Sequence, residues 1–302
     1  MAELTENSNK KCIFVVGPTA SGKSSWALKQ AEKYRGSIVN IDSIQLYRDL
    51  TIGSAAPTAA EKAVVPHLLY SYIEAPREVT AGDYVKDFYR LIKEKLQFPL
   101  FIVGGTGFYI QALEKGMFDV APIPAAFRKT IEDELLNSGA QSLFEELKLK
   151  DPDSKIHIND HYRLVRAIEI IRYTGAVPSR LHAPESSNKN EFPFPYLKIG
   201  FDAEKNLYET PVAKRTEKMI TTGIIDETQS LITRGFSDWA PLQSVGYKET
   251  FEYLKSGRDK KWLFENINLS TMQLIKKQKT WFKRDATILW SNQEQELARF
   301  LS

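Results

Sequence analysis

Eight consecutive residues, Gly17-Pro18-Thr19-Ala20-Ser21-Gly22-Lys23-Ser24, have the types and spacing to hold a phosphate chain. The pattern Gly-x-x-x-x-Gly-Lys-Ser curls backbone N–H groups around a di- or triphosphate, and the following helix turns its positive end to the same anion. Lys23 supplies a mobile charge for the phosphate oxygens, and the Ser24 hydroxyl is a ligand for Mg2+. Asp42 is a candidate base, with the capping of its own turn as the ordinary alternative. Gly104-Gly105-Thr106-Gly107 stands where a nucleotide triphosphatase carries an acid that helps hold Mg2+. It offers a backbone-lined approach and the Thr106 hydroxyl instead; a tight turn would explain its glycines but not the threonine. An acid beside a phosphate cleft that lacks the usual partner points to a phosphate that leaves. Asp42 would deprotonate the nucleophile while Lys23, Mg2+ and an arginine absorb charge on the departing oxygen.

These side chains need a frame. The apolar run Cys12–Val16 reads as a strand leading into the loop, and Ser25–Tyr34 as the helix leaving it. Ser37–Asp42, Pro99–Val103 and Pro195–Phe201 read as further strands, Pro99–Val103 fully apolar as parallel strands are. Ligands of an open α/β sheet gather at the C-terminal strand edges, so Asp42 and Lys23 should face one cleft. Residues Ser43 to Arg48 are too polar for a core, and spacing alone gives them no job. Thr80 with Asp83 resembles a capping box opening a helix through Leu96.

From Pro122 the composition turns to charged, periodic helices: Phe127–Asn137, Ser142–Leu149 and Asp160–Tyr173, the last with Asn159-Asp160 as start and Gly175 as stop. Pro184–Glu191 is polar and reads as a loop. The expected organisation is a core over 1–121, an inserted helical subdomain over 122–192, and completion of the core over 193–302. Arg163 and Arg166, three apart, share a helix face that either meets solvent or contacts phosphate. His157 and His161 lie four apart, but with no third ligand they are not read as a metal site. A helix around Val212–Thr222 carries Arg215, a restart follows at Gly223–Glu227, and Ser244–Glu249 leads into another helix. Trp262–Arg284 is the longest. Between Lys255 and Arg284 nine Lys or Arg face two acids, with Trp262, Trp281 and Phe282 among them. That mixture suits a nucleic-acid backbone with bases to stack on, or a solvated amphipathic helix.

The 302 residues suffice for two domains, and 41 basic against 38 acidic side chains imply no polyanion partner from the total alone. One cysteine excludes an internal disulfide and fits a reducing compartment. The first eleven residues lack the apolar centre of a secretion signal, and no run of membrane-spanning length occurs. A soluble, cytoplasmic protein without membrane contact is expected.

The motifs in order resemble those of bacterial tRNA dimethylallyltransferases, the isopentenyl transferases that modify the adenosine 3′ of the anticodon. The resemblance spans about residues 12–290. It rests on residues 17–24, Asp-Ser-Ile-Gln-Leu-Tyr-Arg at 42–48, Gly-Gly-Thr-Gly-Phe-Tyr-Ile at 104–110 and Arg-Leu-Val-Arg-Ala-Ile-Glu at 163–169. Val-Gly-Tyr-Lys-Glu at 245–249 and Lys-Lys-Gln-Lys-Thr-Trp-Phe-Lys at 276–283 complete it. It implies an α/β fold, a P-loop NTPase-like parallel sheet flanked by helices, with an inserted all-helical subdomain that grips the anticodon stem-loop of tRNA. It implies dimethylallyl diphosphate at the phosphate loop, with Gly17, Thr19, Ala20, Ser21, Gly22, Lys23 and Ser24 around the diphosphate and Mg2+ on Ser24. Asp42 matches the general base that takes a proton from the N6 amine of a flipped-out adenine at tRNA position 37. Thr106 and Arg215 match residues that steady the diphosphate and its bridging oxygen. Matched to tRNA contacts are Asp42, Ser43, Ile44, Gln45, Arg128, Arg163, Arg166, Gln243, Gly246, Tyr247, Lys248, Lys276, Lys277, Gln278, Trp281 and Lys283. Flipping is physically sensible, because a stacked base cannot present its amine to a buried carbon. Action as a monomer is the simpler expectation.

The chain departs from the pattern at Ala56, where a Lys is frequent, at Leu68, where a His is, and at Pro211 and Met272, where Arg is usual. The zinc-finger tail of eukaryotic relatives is absent. Two rivals remain at this stage. An ATP-dependent kinase of small molecules or nucleosides fits the phosphate loop but not Gly104-Gly105. An RNA-binding protein with a degenerate site fits the basic helix but not intact Lys23, Ser24 and Asp42.

Overall fold

A computed structural model describes residues 10–94, 96–116, 123–181 and 192–302. The chain divides into two compact units, Met1–Ala112 with Pro193–Ser302, and Leu113–Phe192. The expected boundary at Pro122 and the expected loop Pro184–Glu191 lie outside the described residues.

In the first unit, β1 (Cys12–Val16) leads through the phosphate loop into α1 (Lys23–Lys33), and β2 (Ser37–Asn40) follows. Next come α2 (Ala59–Val64), the two-residue β3 (His67–Leu68), α3 (Ala81–Leu91), β4 (Leu100–Gly104) and α4 (Gly107–Lys115). The Thr80–Asp83 capping box is present and opens α3. That helix stops short of Leu96 because its end tightens: Lys93 N–H donates to Arg90 O and Glu94 N–H to Leu91 O, three residues back.

The second unit holds α5 (Ala125–Ser138), α6 (Ala140–Lys150), α7 (His161–Thr174) and the single turn α8 (Pro178–Leu181). Ile131, Leu143, Leu147, Leu164 and Ile168 form its fully buried centre. Asp160 caps α7 by accepting from Arg163 N–H at 3.2 Å, and Gly175 ends it at φ 72°.

The chain re-enters the first unit as β5 (Tyr196–Gly200) and continues through α9 (Glu209–Thr222), α10 (Ile224–Thr233), α11 (Tyr247–Ser256), α12 (Lys260–Phe282) and α13 (Gln293–Leu301). The sheet is wholly parallel, in the order β3-β2-β4-β1-β5. Every residue of β1, β2 and β4 is buried, which is why β1 and β4 read as continuous apolar runs, while β2 buries the polar Ser37 and Asn40 at its ends. One face packs Ala27 and Ala31 of α1 and Leu297 of α13 against Ile13, Val15, Phe101 and Ile199. Register aligns the ends: Val16 lies opposite both Gly104 and Gly200, and Asn40 opposite Val103. The residues just past β1, β2 and β4 therefore meet along one edge. Among the described residues no helix is long and apolar enough to cross a membrane.

Candidate active site

Gly22, at φ 86°, sets the turn from loop to α1. Lys23 is half-buried and donates to Pro18 O at 3.0 Å, across its own loop. Burial lowers its pKa to about 8; the Asp42 carboxylate pulls it back up and the Arg215 guanidinium pushes it further down. All three charges thus sense one another. The Ser21 hydroxyl oxygen is buried without a hydrogen-bond partner. A native structure rarely tolerates such an atom, and a phosphate oxygen at the loop would satisfy it.

Asp42 sits on a braced turn. Its N–H donates to Asn40 Oδ1 at 2.8 Å, while Asn40 Nδ2 donates to the carbonyls of Asp42 and Leu69, each at 3.0 Å. Its own Oδ1 accepts from Ile44 N–H at 3.0 Å, so the carboxylate caps the turn, and its charge acts on both Lys23 and Arg215. Gly104 explains the approach: a Cβ there would lie 2.6 Å from the Ile41 carbonyl carbon and 2.8 Å from Asp42 N. Only a residue without a side chain lets β4 pass so close to the acid-bearing loop. Beside it, Thr106 Oγ1 accepts from Ser43 N–H at 3.0 Å.

Arg215, on α9, donates from Nη2 to the Ser54 carbonyl at 3.2 Å. Burial depresses its pKa, and Asp42 opposes the shift. Its partner is neutral, which leaves the guanidinium charge available to an anion. The same carbonyl accepts from Gln45 Nε2 at 2.9 Å, and Ala55 O does so at 3.1 Å. The 51–54 turn that presents it hangs from Glu227 of α10. That carboxylate accepts from Thr51 N–H at 3.0 Å, Thr51 Oγ1 at 2.8 Å, Ile52 N–H at 3.1 Å and the Tyr247 hydroxyl. Sequence reasoning missed Asn40, Ser54 and Glu227 as supports, and Tyr70, whose phenol is raised by burial and then by Asp42. Only Asn40, two residues before the acid, carried a local signal.

A family model described as IPP transferase matches residues 45–285. The chain belongs to the IPP transferase family. Among its relatives, the tRNA dimethylallyltransferase of Bdellovibrio bacteriovorus is 47% identical over 94% of this chain and 93% of that protein. The enzyme of the same name from Geobacter metallireducens is 34% identical over 95% and 94%. The crystal structure of the full-length tRNA isopentenylpyrophosphate transferase from Bacillus halodurans is 27% identical, with a TM-score of 0.67 over 97% of this chain and 95% of that one. A eukaryotic dimethylallyltransferase captured acting on tRNA aligns at a TM-score of 0.76 and 24% identity, over 95% and 77%. At that identity the likeness speaks for the fold, which is the P-loop NTPase-like architecture expected from the sequence.

Within this family frame, the residues matched to tRNA fall into unlike environments. On α12, Lys276 and Lys277 are exposed and Trp281 is 37% exposed; Lys283, the residue after its end, is exposed too. Gln278 instead turns inward to the phosphate loop. Gln243 and Lys248 are exposed, but Gly246 is buried and Tyr247 is wholly enclosed, leaving no ring surface for a nucleic acid. In the second unit Arg128 lies over the Tyr162 ring at 5.2 Å and pairs with Glu132 at 3.0 Å. Arg163 pairs with Asp160 at 3.2 Å, and Arg166 with buried Glu169 at 2.7 Å. Two departures find local reasons. Met272 packs against the apolar cluster of Tyr208, Val212 and Ile275, and Pro211 occupies the first turn of α9, where no helical N–H bond is lost.

Among the described residues no group of three or more His, Cys, Asp or Glu could cage a metal ion. The donors at the loop are one exposed hydroxyl, Ser24, and the carboxylate of Asp42 across the cleft. Such a set fits Mg2+, which keeps waters and takes most of its other ligands from substrate phosphates.

Proposed function

We propose that this protein transfers a dimethylallyl group from dimethylallyl diphosphate to the N6 amine of the adenosine 3′ of the anticodon in tRNA. Asp42 takes a proton from that amine as the nitrogen attacks the allylic carbon. The new C–N bond forms, the C–O bond breaks, and its electron pair leaves on the diphosphate. Thr106 and Arg215 steady the bridging oxygen, and Lys23 with the N–H groups of residues 19–24 holds the phosphates. Mg2+, held by Ser24 and the diphosphate, supplies further charge stabilisation when bound. The adenine is flipped out to reach the acid. The helical unit and the exposed basic residues of α12 grip the anticodon stem-loop, and the enzyme works in the cytoplasm as a single chain.

The observation that carries this reading is that Lys23, Asp42 and Arg215 act on one another electrostatically, beside a phosphate loop whose buried Ser21 hydroxyl has no hydrogen-bond partner. No second acid accompanies Gly104-Gly105 at the end of β4, which disfavours a kinase. The test is incubation with radiolabelled dimethylallyl diphosphate and unmodified tRNA, with ATP in a parallel tube. Label in RNA is expected; ATP turnover without label would hand the site to the kinase reading.

A further inference from the structure

We propose that Gln278 belongs to the diphosphate seat rather than to an RNA-facing surface, and that it restricts the phosphate loop to two phosphates. The proposal rests on the reading above, that the loop holds a diphosphate ester.

Both ends of the Gln278 carboxamide are committed to backbone. Its Oε1 accepts from Thr19 N–H at 2.9 Å, and its Nε2 donates to Gly105 O at 3.0 Å. One side chain of α12 thus spans from the phosphate loop after β1 to the turn after β4. The room for it is made by sequence: a Cβ on Gly105 would come within 2.4 Å of Nε2. Three residues on, Trp281 lies against Gly107 in the same way, its Nε1 at 2.1 Å from where a Cβ would be. Gln278 and Trp281 share the inward side of the helix, whereas exposed Lys276, Thr280 and Lys283 occupy the other.

The chemistry follows from which donor is taken. Thr19 stands three residues before Gly22, on the rim of the loop that faces Gly105 and its neighbour Thr106. Gln278 touches none of the groups nearer the start of α1: Lys23, whose ammonium reaches Pro18 O with one of its three N–H bonds, and the unpartnered Ser21 hydroxyl remain to meet an anion. A ligand whose diphosphate sits there extends its remaining part past the Gln278 oxygen. An uncharged allyl group tolerates that neighbour. A third phosphate finds the Thr19 donor occupied and meets the negative end of an amide dipole. Specificity is then built by a repulsive element beside the attractive ones. Gln278 is a positioning and specificity-determining residue; it reaches the substrate through the loop.

The test compares inorganic diphosphate with inorganic triphosphate, each with Mg2+, by titration calorimetry on the full chain. Wild type should prefer diphosphate. Gln278→Met keeps the length and loses both hydrogen bonds, and should narrow that preference about tenfold, which is about 1.4 kcal/mol. Its affinity for an anticodon stem-loop RNA should stay within about twofold, well under 1 kcal/mol on the same scale. Gln278→Glu retains an acceptor for Thr19 N–H and puts a full negative charge beside it, so it should weaken triphosphate more than diphosphate and widen the preference; it is the second variant should Met impair folding, and an unchanged ratio there overturns the proposal equally. A merely structural role would shift both anions together. An unchanged ratio in folded Gln278→Met overturns the proposal, and so does a loss of RNA affinity with the ratio intact. Failure of wild type to bind diphosphate at all would instead remove the seat, and with it the reading on which the proposal stands.

Discussion

At the scale of single residues, the proposed mechanism separates a base from an anion seat, and each can be struck alone. Asp42→Asn preserves an acceptor for Ile44 N–H, so the turn should survive while the base is lost. Transfer is expected to fall about a hundredfold or more, in the range of general-base effects, with stem-loop RNA binding nearly unchanged. Single-turnover rates and filter binding on the same variant check both halves. Lys23 makes a pH prediction. Its pKa is lowered from 10.5 to about 8, so the ligand-free protein carries the charge below about pH 8 and loses it above. Diphosphate affinity should be flat up to that point and then weaken, by at most about tenfold per pH unit. Lys23→Met should bind weakly and lack that Lys-dependent inflection, which titrations between pH 7 and 9.5 resolve. Stability moves oppositely. Between about 8 and 10.5 the unfolded chain binds the extra proton, so the cost of burying the charged amine disappears as pH rises through that window.

At the scale of elements, local signals were readable and long-range ones were not. The strand-loop-helix at Cys12–Lys33 and the box at Thr80–Asp83 declare themselves within a few residues, because strand burial and capping are short-range chemistry. Thr58 with Glu61 forms the same kind of box and opens α2, a six-residue helix held between Pro57 and Pro66 that is too short to show helical periodicity. Helix α13 follows the basic helix without a side-chain cap and escaped notice, though Leu297 reaches the sheet core. The supports of the site were illegible for a plainer reason. Glu227 meets Thr51 from 176 positions away, and Gln278 meets Thr19 from 259. Spacing cannot report such pairs. Glu227 is the sharper test of what they do. Glu227→Ala strips the turn at 51–53 of its acceptor and should cost about 2–3 kcal/mol, as a lost charged hydrogen-bond partner does. Because that turn presents Ser54 O to Arg215, turnover should fall more than RNA affinity does. Urea midpoints and kcat with KM for both substrates measure this; a stability loss with unchanged kcat would detach Glu227 from Arg215.

At the scale of the whole molecule, a formal net charge of +3 on 302 residues gives little general attraction for RNA, so affinity must come from clusters. The two candidate clusters differ in how free their charges are. Exposed Lys276 of α12 and Lys283 just past its end have open access to phosphate, and each neutralised phosphate releases counterions. The arginines of the helical unit already hold carboxylates. Arg163 does so at the surface, 67% exposed beside Asp160, where an exchange of partner costs little. Arg166 holds Glu169, which is 3% exposed, and removing it strands a buried carboxylate. Three substitutions should therefore part company. Lys283→Ala should lower the slope of log affinity against log salt by about 0.7–0.9 and leave the urea midpoint alone. Arg163→Ala should act the same way if the helical unit grips RNA. Arg166→Ala should cost about 3 kcal/mol or more of stability before any effect on RNA is read. A salt slope unmoved by both Lys283→Ala and Arg163→Ala would place the RNA elsewhere on the protein, and the assignment of the stem-loop to α12 and α7 would fall with it.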